Sequence, residues 1–382
     1  MDLALYIHVP FCVRRCTYCD FVTYADRPTL LTPYAAALLT ELHQQAATLL
    51  ARHPTASATT LYFGGGTPSL LPPAAIAALI EAAREDLHLS PAAEITLEAN
   101  PGTVQVEQLS ALRRAGVNRL SLGVQSADAG ELRLLGRIHT WEEAARTVAA
   151  ARQAGFDNLN LDLIFGLPGQ TLTPWQHTLE ATLALAPEHL SLYALTLEPG
   201  TPLAEAVARG AVPEPDPDLA ADLYDLTQEM TAAAGLPSYE ISNHAKAGDE
   251  SRHNLLYWRY GEYAGVGPGA HSRLAEGSNR IALIAEKHPE TWRSLVTAQG
   301  HGIVSEEIVA AEAQAREMML MGLRITEGID LAAHARLSNR PIAPEKIAAL
   351  SELGLVTQEK TRLRATEAGR RILNAVIAEL AE

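Results

Sequence analysis

The chain has 382 residues, of which 47% are hydrophobic and 20% are charged, and its formal net charge is −15. This composition is typical of a soluble globular protein and excludes a largely disordered chain. The acidic balance argues against binding to a nucleic-acid backbone, which requires a basic surface. We find no apolar run of about 18 residues and no signal-peptide pattern after Met1, so we expect a cytoplasmic protein without a membrane-spanning segment.

Short apolar segments alternate with longer amphipathic or alanine-rich segments through the first two-thirds of the chain. The apolar segments predict strands at 3–9, 59–65, 94–100, 118–124, 158–166 and 189–197. The segments between them predict helices at 33–51, 73–87, 104–115, 141–154 and 174–185. Successive strand–helix units indicate a parallel sheet with crossover helices, and six units are too few for a closed eight-stranded barrel. We therefore predict an α/β fold with a partial (βα)6 barrel.

The pattern changes after the predicted barrel. A proline- and acid-rich stretch at 211–218 indicates a surface connection, and a helix is expected at 219–234. Beyond residue 300, a helix at 312–324 and the pattern of 353–380 predict a mostly helical, winged-helix-like unit. Given the acidic charge, we interpret this unit as a packing or interaction module. The predicted division is a barrel, a connecting segment and a C-terminal domain, at 1–235, 236–300 and 301–382.

All the cysteines of the chain lie within eight positions, as Cys12, Cys16 and Cys19. Clustered cysteines in a cytoplasmic protein indicate metal ligation, because a disulfide would leave one of the three unpaired. A structural zinc ion with His8 as its fourth ligand is one interpretation. An iron–sulfur cluster is the other: a [4Fe–4S] cubane normally takes four cysteines, so three would leave one iron open to an outside ligand.

The segment "CVRRCTYC" resembles the CxxxCxxC signature of the radical S-adenosylmethionine (SAM) enzymes. This resemblance implies that the three cysteines hold a [4Fe–4S] cluster whose open iron is chelated by the amino and carboxylate groups of SAM. In that family, an electron from the cluster splits SAM to a 5′-deoxyadenosyl radical.

Glycine and polar residues follow the predicted strands at their carboxyl ends, where parallel α/β folds gather functional residues. The glycines of "GGGTPS" would let backbone amides approach a charged ligand, although a simple tight turn is the alternative. Asp162 lies inside an apolar strand, where an acid is costly to bury unless it is paired; a carboxylate bonded to backbone amides is the alternative. "GGGTPS" also resembles the loop that receives the amino group of SAM.

Together these residues resemble the radical SAM branch that contains the oxygen-independent coproporphyrinogen III dehydrogenases and the HemW-type haem chaperones. The likeness covers most of the chain. It implies that one or two SAM sites are lined by Tyr6, Gly65, Gly66, Thr67, Glu98, Gln125, Arg137 and Asp162.

Two features argue against the dehydrogenase. Its cluster motif continues as CxxxCxxCxC, whereas this chain has Phe21 in place of the additional cysteine. The dehydrogenase also has a segment before its first strand that helps to cover the substrate, and here we expect the first strand to begin by about residue 3. A radical reaction needs a site closed to water, so both differences weaken the enzyme interpretation.

The aromatic stretch "SRHNLLYWRYGEY", at 251–263, favours the haem chaperones. In a helix, His253 and Tyr257 share a face; imidazole can ligate haem iron, and flat aromatic rings suit a porphyrin. A histidine that caps an aromatic core patch is the alternative. The stretch matches the HNxxYW motif of HemW-type chaperones, which implies haem binding by His253, Asn254, Tyr257 and Trp258. His271, in a glycine-rich stretch expected to be a loop, is a second candidate ligand with a structural role as its alternative.

The resemblance thus implies a cytoplasmic chaperone that binds haem and delivers it to haem-requiring respiratory proteins, with a SAM-binding [4Fe–4S] cluster. No integral membrane segment is expected, and peripheral membrane contact stays open. The first alternative is an oxygen-independent coproporphyrinogen III dehydrogenase, and the second is a radical SAM methyltransferase of anaerobic haem breakdown. We assign no catalytic residue and predict no porphyrinogen decarboxylation.

Overall fold

The computed structural model describes residues 2–25, 27–277, 279–338 and 340–381. The strands in these ranges are β1 (Asp2–Val9), β2 (Phe11–Cys12), β3 (Tyr24–Ala25), β4 (Ser57–Gly65), β5 (Glu94–Ala99), β6 (Arg119–Gln125), β7 (Leu159–Phe165), β8 (His189–Ala194), β9 (Asn243–Ala245), β10 (Glu262–Val266), β11 (His271–Glu276), β12 (Asn279–Ala285), β13 (Ile303–Val309), β14 (Ile329–Asp330), β15 (Val356–Glu359) and β16 (Arg362–Ala365).

The α-helices in the same ranges are α1 (Leu31–Arg52), α2 (Pro73–Asp86), α3 (Val106–Ala115), α4 (Ala129–Leu134), α5 (Trp141–Gln153), α6 (Leu172–Leu183), α7 (Pro202–Ala208), α8 (Pro217–Ala233), α9 (Arg252–Trp258), α10 (Pro289–Gln299), α11 (Ala311–Gly322), α12 (Leu331–Ser338), α13 (Pro344–Glu352), α14 (Glu367–Arg371) and α15 (Leu373–Ala381).

The predicted partial barrel is confirmed. Strands β1, β4, β5, β6, β7 and β8 are parallel neighbours in that order, and helices follow the strands as the sequence pattern predicted. These strands are largely buried because helices cover one face of the sheet and the other face lines the interior of the barrel. Every residue of β6, for example, is buried.

The sheet extends beyond the barrel on both sides. Strand β10 pairs with β1 in parallel, and β11, β12 and β13 continue the sheet with antiparallel pairing, while β9 pairs with β8. The expectation of a loop around 265–272 is therefore wrong at its two ends, which belong to β10 and β11. Its glycines form the turn between them: at Gly267, φ is +107° and a Cβ would lie 2.6 Å from the carbonyl oxygen of His8.

Two large hydrophobic cores and one small cluster, of Leu135, Ile164 and Leu167, lie within the described part of the chain. The larger core fills the barrel and its helical layer, and it includes Val266 and Trp292 from the predicted connecting segment. The second core contains Met319, Ile329, Leu363 and other residues of α11–α15 and β14–β16, as the winged-helix-like pattern predicted. The domain limits at 235 and 300 stay predictions. No helix in the described part of the chain is long and apolar enough to cross a membrane.

Candidate functional site

The segment between β1 and α1 carries the three cysteines to the carboxyl end of the barrel strands. It is anchored through its backbone: the Thr67 N–H donates to the carbonyl of Phe11 at 2.8 Å, and the Thr17 N–H donates to the carbonyl of Leu135 at 3.1 Å. The Leu203 N–H in turn donates to the carbonyl of Thr17 at 2.9 Å. Cys12, Cys16 and Cys19 have free thiols and line one cavity, which we call the cysteine cavity.

The surroundings of the thiols fit a group that is bound by thiolates. A Cβ at Gly66 would lie 2.8 Å from Cys12 Sγ and 2.6 Å from the carbonyl oxygen of Phe11, so glycine alone admits this approach. Arg137 Nη1 donates to Cys16 Sγ at 3.4 Å. Burial raises the pKa of Cys12 to about 11, so this thiol keeps its proton until a metal displaces it.

The zinc interpretation requires His8 as a ligand, and both ring nitrogens of His8 already have partners. Nδ1 lies 2.9 Å from the Tyr6 hydroxyl, and Nε2 lies 3.0 Å from the carbonyl oxygen of Val22. Across the described residues, no group of three His, Cys, Asp or Glu side chains is arranged to hold a metal ion. In a cubane cluster each thiolate binds its own iron, so the sulfurs need not converge on one metal. With His8 engaged, the donor set fits a cluster with an open iron better than a closed four-ligand zinc site.

The glycine turn after β4 packs tightly against β1. Gly65 has a φ of +117°, and a Cβ there would lie 2.7 Å from Cε1 of His8. The Gly65 N–H donates to Glu98 Oε2 at 3.1 Å, and the Gly66 N–H donates to the carbonyl of Val9 at 2.8 Å. Because these hydrogens have acceptors within the protein, the expectation that the amides are free to approach a ligand is wrong. The glycines serve instead to bring the turn close to the cysteine segment.

Glu98 lies at the boundary of two cavities. Its Oε1 accepts a hydrogen bond from the Tyr62 hydroxyl at 2.8 Å, and its Oε2 accepts the one from Gly65. Burial, and secondarily the charge of Asp162, raises the pKa of Glu98 to about 7.

Three predicted residues reach the cysteine cavity from different elements. Gln125 ends β6, Asp162 lies within β7, and Arg137 lies in the turn after α4. Arg137 Nη2 donates to Asn100 Oδ1 and to the carbonyl of Gly123, each at 2.6 Å, and so links the cysteine segment to β5 and β6. Gln125 has a φ of +71°, a strained conformation next to an irregularity in the β6–β7 pairing. Burial raises the pKa of Asp162, whose oxygens accept from side chains and not from backbone amides.

The structure gathers most of the predicted SAM residues around the cysteine cavity, which is lined by Gly65, Gly66, Glu98, Gln125, Arg137 and Asp162. Thr67 is buried behind the wall, where its hydroxyl accepts from Asn100 Nδ2 at 2.7 Å. Tyr6 faces a second cavity. Sequence reasoning missed several polar residues of the cysteine cavity, among them Asn100, Arg119, Ser121, Asn160 and Ser191. For Ser121 and Asn160 the sequence did contain a signal. They precede Gly123 and Asp162 by two positions and therefore lie on the same faces of their strands.

The second cavity, which we call the aromatic cavity, adjoins the first. The two share the walls Phe21, Tyr62, Gly65, Glu98 and Asn254. The other rings that line the aromatic cavity are those of Tyr6, His8, His253, Tyr257, Tyr263 and His271. The space is about 1150 Å³, including the part open to solvent, and the exposed side chain of Phe21 lies at its rim.

His253 is held in the wall of the aromatic cavity by contacts from two strands. Glu94 of β5 accepts hydrogen bonds from the backbone N–H groups of Arg252 and His253, each at 3.0 Å, and so caps the start of α9. Thr60 Oγ1 of β4 lies 2.8 Å from His253 Nδ1. His253 Nε2 is buried and has no hydrogen-bond partner among the described residues. Burial, with a smaller contribution from the charge of Arg119, lowers the pKa of His253 to about 3, so the ring is neutral.

Of the other residues of the HNxxYW stretch, Asn254 and Tyr257 lie at the cavities and Trp258 lies near α11. Asn254 lines both cavities, and the Tyr257 ring lies edge-on to that of His253 with centroids 4.9 Å apart. Trp258 does not line either cavity: it ends α9 on the side of α11, where a Cβ at Gly322 would lie 3.7 Å from its carbonyl oxygen. His271 is exposed and lines the aromatic cavity.

The chain is similar to known families along its length. Residues 6–182 match the profile of the Radical SAM superfamily, and residues 309–372 match that of the HemN C-terminal domain. "Heme chaperone HemW" of Escherichia coli (strain K12) is 37% identical over 98% of this chain and 97% of that protein. The mitochondrial "Radical S-adenosyl methionine domain-containing protein 1" of Bos taurus is 39% identical over 99% of this chain and 87% of that protein.

Among solved structures, the chain resembles the radical SAM enzyme coproporphyrinogen III oxidase (HemN) from Escherichia coli. The TM-score is 0.83 at 25% sequence identity, and the match covers 100% of this chain and 90% of that one.

Proposed function

The chain belongs to the HemW-type haem chaperones of the radical SAM superfamily, and on that premise we propose that it binds haem in the aromatic cavity and delivers it to other proteins. The observation that carries this proposal is His253: its Nε2 is buried in an aromatic wall and has no partner among the described residues. A neutral imidazole with an unengaged nitrogen is the form that ligates iron.

The walls of the aromatic cavity support a flat ligand. The rings of Tyr62 and His253 are stacked with centroids 4.9 Å apart, and those of Tyr257 and Tyr263 are 4.3 Å apart. Porphyrin faces pack favourably against such rings. The cavity is also open at its rim, which suits a protein that must release its ligand.

In the adjoining cavity, we propose that Cys12, Cys16 and Cys19 hold a [4Fe–4S] cluster and that SAM binds beside it. When bound, such a cluster supplies an open iron for the amino and carboxylate groups of SAM. The protein's side chains position and contact these groups. Arg137 fixes Cys16 relative to Asn100 and Gly123 through its hydrogen bonds. Glu98 offers a carboxylate to a cationic ligand. The division of the predicted residues between one SAM site and two stays open.

Contacts between the two cavities support a chaperone in which the binding of SAM and the binding of haem are coupled. The Tyr62 hydroxyl donates a hydrogen bond to Glu98, and the ring of the same Tyr62 stacks on the ring of His253. A ligand that binds Glu98 therefore affects Tyr62, whose ring contacts His253. As recipients we propose haem-requiring respiratory proteins in the cytoplasm or at its membrane, a proposal that rests on the family resemblance.

A second candidate is the coproporphyrinogen III dehydrogenase activity, which the whole-chain similarity to the HemN structure favours. Phe21, in place of the additional cysteine of that enzyme's motif, argues against it, and its side chain is 63% exposed at the cavity rim. The dehydrogenase must consume SAM in step with porphyrin product, whereas the chaperone binds haem without turnover.

The test is an anaerobic haem titration, followed by visible absorption, of the cluster-loaded protein and its His253→Ala variant. We expect saturable binding with a shifted Soret band that His253→Ala alters or abolishes. The exposed His177 provides the matched control, because His177→Ala should leave the spectrum unchanged. Absence of saturable binding, or an unaltered spectrum in His253→Ala, would overturn the assignment of the aromatic cavity.

A further inference from the structure

Arg119 is a buried cation without an ion pair in the described part of the chain. It is the first residue of β6, and its side chain extends into the barrel and lines the cysteine cavity while only 2% of the residue is exposed. Its Nε has no hydrogen-bond partner among the described residues. An unpaired buried charge is unfavourable in a folded protein, so an isolated arginine here calls for a counter-charge.

Glu98 and Asp162, the acidic side chains of the cysteine cavity, form neither a salt bridge nor a hydrogen bond with Arg119 in the described part of the chain. Glu98 accepts from Tyr62 and Gly65, and Asp162 accepts from Ser121 and Asn160. Burial raises the pKa of both acids, and the positive charge of Arg119 opposes that rise.

The polar neighbours on the cavity floor are also satisfied among themselves. Asn160 Nδ2 donates to Ser121 Oγ at 2.8 Å, and Ser191 Oγ donates to Asn243 Oδ1 at 2.7 Å. Arg119 thus contributes to this floor a cationic group whose Nε has no hydrogen-bond partner among the described residues. The planar guanidinium matches the two oxygens of a carboxylate.

We propose that Arg119 binds a carboxylate of the small molecule that enters the barrel. This inference rests on the proposed function, which offers two sources of that group: a propionate of haem and the methionyl carboxylate of SAM. The aromatic cavity proposed for haem adjoins the cavity that Arg119 lines, because the two share Tyr62 and Glu98.

The experiment compares haem with haem dimethyl ester, and separately measures SAM, on anaerobic cluster-loaded protein. The proteins are the unmodified chain, Arg119→Met, Arg119→Lys and a surface control, Arg209→Met, whose residue forms an exposed pair with Glu205. A charge-assisted contact of this kind changes affinity about 10- to 100-fold. We expect Arg119→Met to weaken one carboxylate ligand by that factor, Arg119→Lys to weaken it less, and Arg209→Met to have no effect.

The two sources give different patterns. If the propionate binds Arg119, the unmodified protein prefers haem to its ester and Arg119→Met loses that preference with SAM affinity unchanged. If the SAM carboxylate binds it, Arg119→Met weakens SAM and leaves haem and ester equal in every protein. Unchanged affinities for both ligands in folded Arg119→Met and Arg119→Lys would overturn the inference.

Folding and the proposed function are controlled separately. Circular dichroism and thermal unfolding show whether each variant is folded. If Arg119→Met does not fold, Arg119→Lys and the haem–ester comparison on the unmodified protein decide the question. Failure of the unmodified protein to bind haem would overturn the proposed function, and the SAM titrations would then decide the role of Arg119 alone.

Discussion

Thr60 and His253 lie 193 residues apart in the chain, yet Thr60 Oγ1 is 2.8 Å from His253 Nδ1. Histidines that bind metals usually donate their other ring N–H to a protein acceptor, which fixes the tautomer and the ring orientation. If Nδ1–H donates to Thr60, the lone pair of Nε2 is free for haem iron. Thr60 is thus a positioning residue for the proposed ligand.

Replacement of Thr60 tests this relationship. Thr60→Val keeps the shape of the side chain and removes the hydroxyl, so we expect haem affinity to fall about 10-fold and the Soret band and iron–histidine vibration to shift. Thr60→Ser should restore both, because it restores the hydroxyl. The measurements are haem titration and resonance Raman spectroscopy, and an iron–histidine vibration identical in Thr60→Val and the unmodified protein would contradict the role.

Tyr62 is expected to couple the two cavities. It donates to Glu98 and stacks on His253, so we predict that saturating SAM changes haem affinity about 5-fold or more. Tyr62→Phe keeps the ring stack and removes the hydrogen bond, and should abolish this change. Haem titrations with and without SAM measure it, and the reciprocal effect of haem on SAM affinity must have the same size. Equal coupling in Tyr62→Phe would show that the Tyr62–Glu98 contact is not its route.

The raised pKa of Glu98 predicts a pH-dependent contribution to stability. Its pKa is about 7 in the folded protein, whereas the ordinary value, which applies to the unfolded chain, is 4.5. At a pH between these two values, Glu98 holds a proton in the folded protein that it has released in the unfolded chain. This contribution to the free energy of unfolding is therefore lost as the pH rises from about 4.5 through 7. Glu98→Gln cannot titrate and should show a smaller decrease in stability between pH 5 and pH 8.

Urea unfolding of cluster-free protein, followed by tryptophan fluorescence at both pH values, measures this difference. The difference between the two chains in this pH effect is assigned to Glu98 together with its interaction with the charge of Asp162. The same decrease in both chains would mean that the Glu98 carboxyl is ionised alike in the folded and unfolded states.

Gly66 is expected to be indispensable for cluster assembly. In Gly66→Ala the added Cβ would meet Cys12 Sγ at 2.8 Å and the Phe11 carbonyl oxygen at 2.6 Å, so the cysteine segment must move. We expect loss of most bound iron and sulfide and a destabilisation of about 1–3 kcal/mol. Gly210→Ala is the control: its Cβ would have nothing within 4 Å, so its left-handed backbone costs stability without affecting the cluster. Full iron and sulfide content in Gly66→Ala would refute the prediction.

Arg137 should tune the reduction potential of the cluster. Its Nη1 donates to Cys16 Sγ, and hydrogen bonds to ligand sulfurs favour the reduced state because they offset its additional negative charge. We expect a more negative potential in Arg137→Leu, measured by an EPR-monitored redox titration of the reconstituted protein. Arg133→Leu, at an exposed position of α4, should leave the potential unchanged. A potential that does not move in Arg137→Leu would show that this contact is absent in the loaded protein.

The sequence predicted the barrel because each strand and helix carries its periodicity within its own segment. It predicted the cysteine site for the same reason: the spacing of Cys12, Cys16 and Cys19 is local. The convergence of Glu98, Gln125 and Asp162 was also foreseeable, since carboxyl ends of parallel strands meet at one edge. The expectations for the glycine amides failed because hydrogen-bond partners such as the Val9 carbonyl and Glu98 come from other strands.

What the sequence by itself determined is therefore the fold class, which follows from local periodicity, and the motifs that resemble the family; the SAM and haem residues stay predictions. Only the tertiary structure decided how those residues are satisfied. It pairs His253 with Thr60, places Trp258 outside the described lining of both cavities and leaves Arg119 Nε without a hydrogen-bond partner among the described residues. These outcomes depend on strand register and on the packing of α9 against β4 and β5, where side chains distant in sequence compete for the same few donors and acceptors.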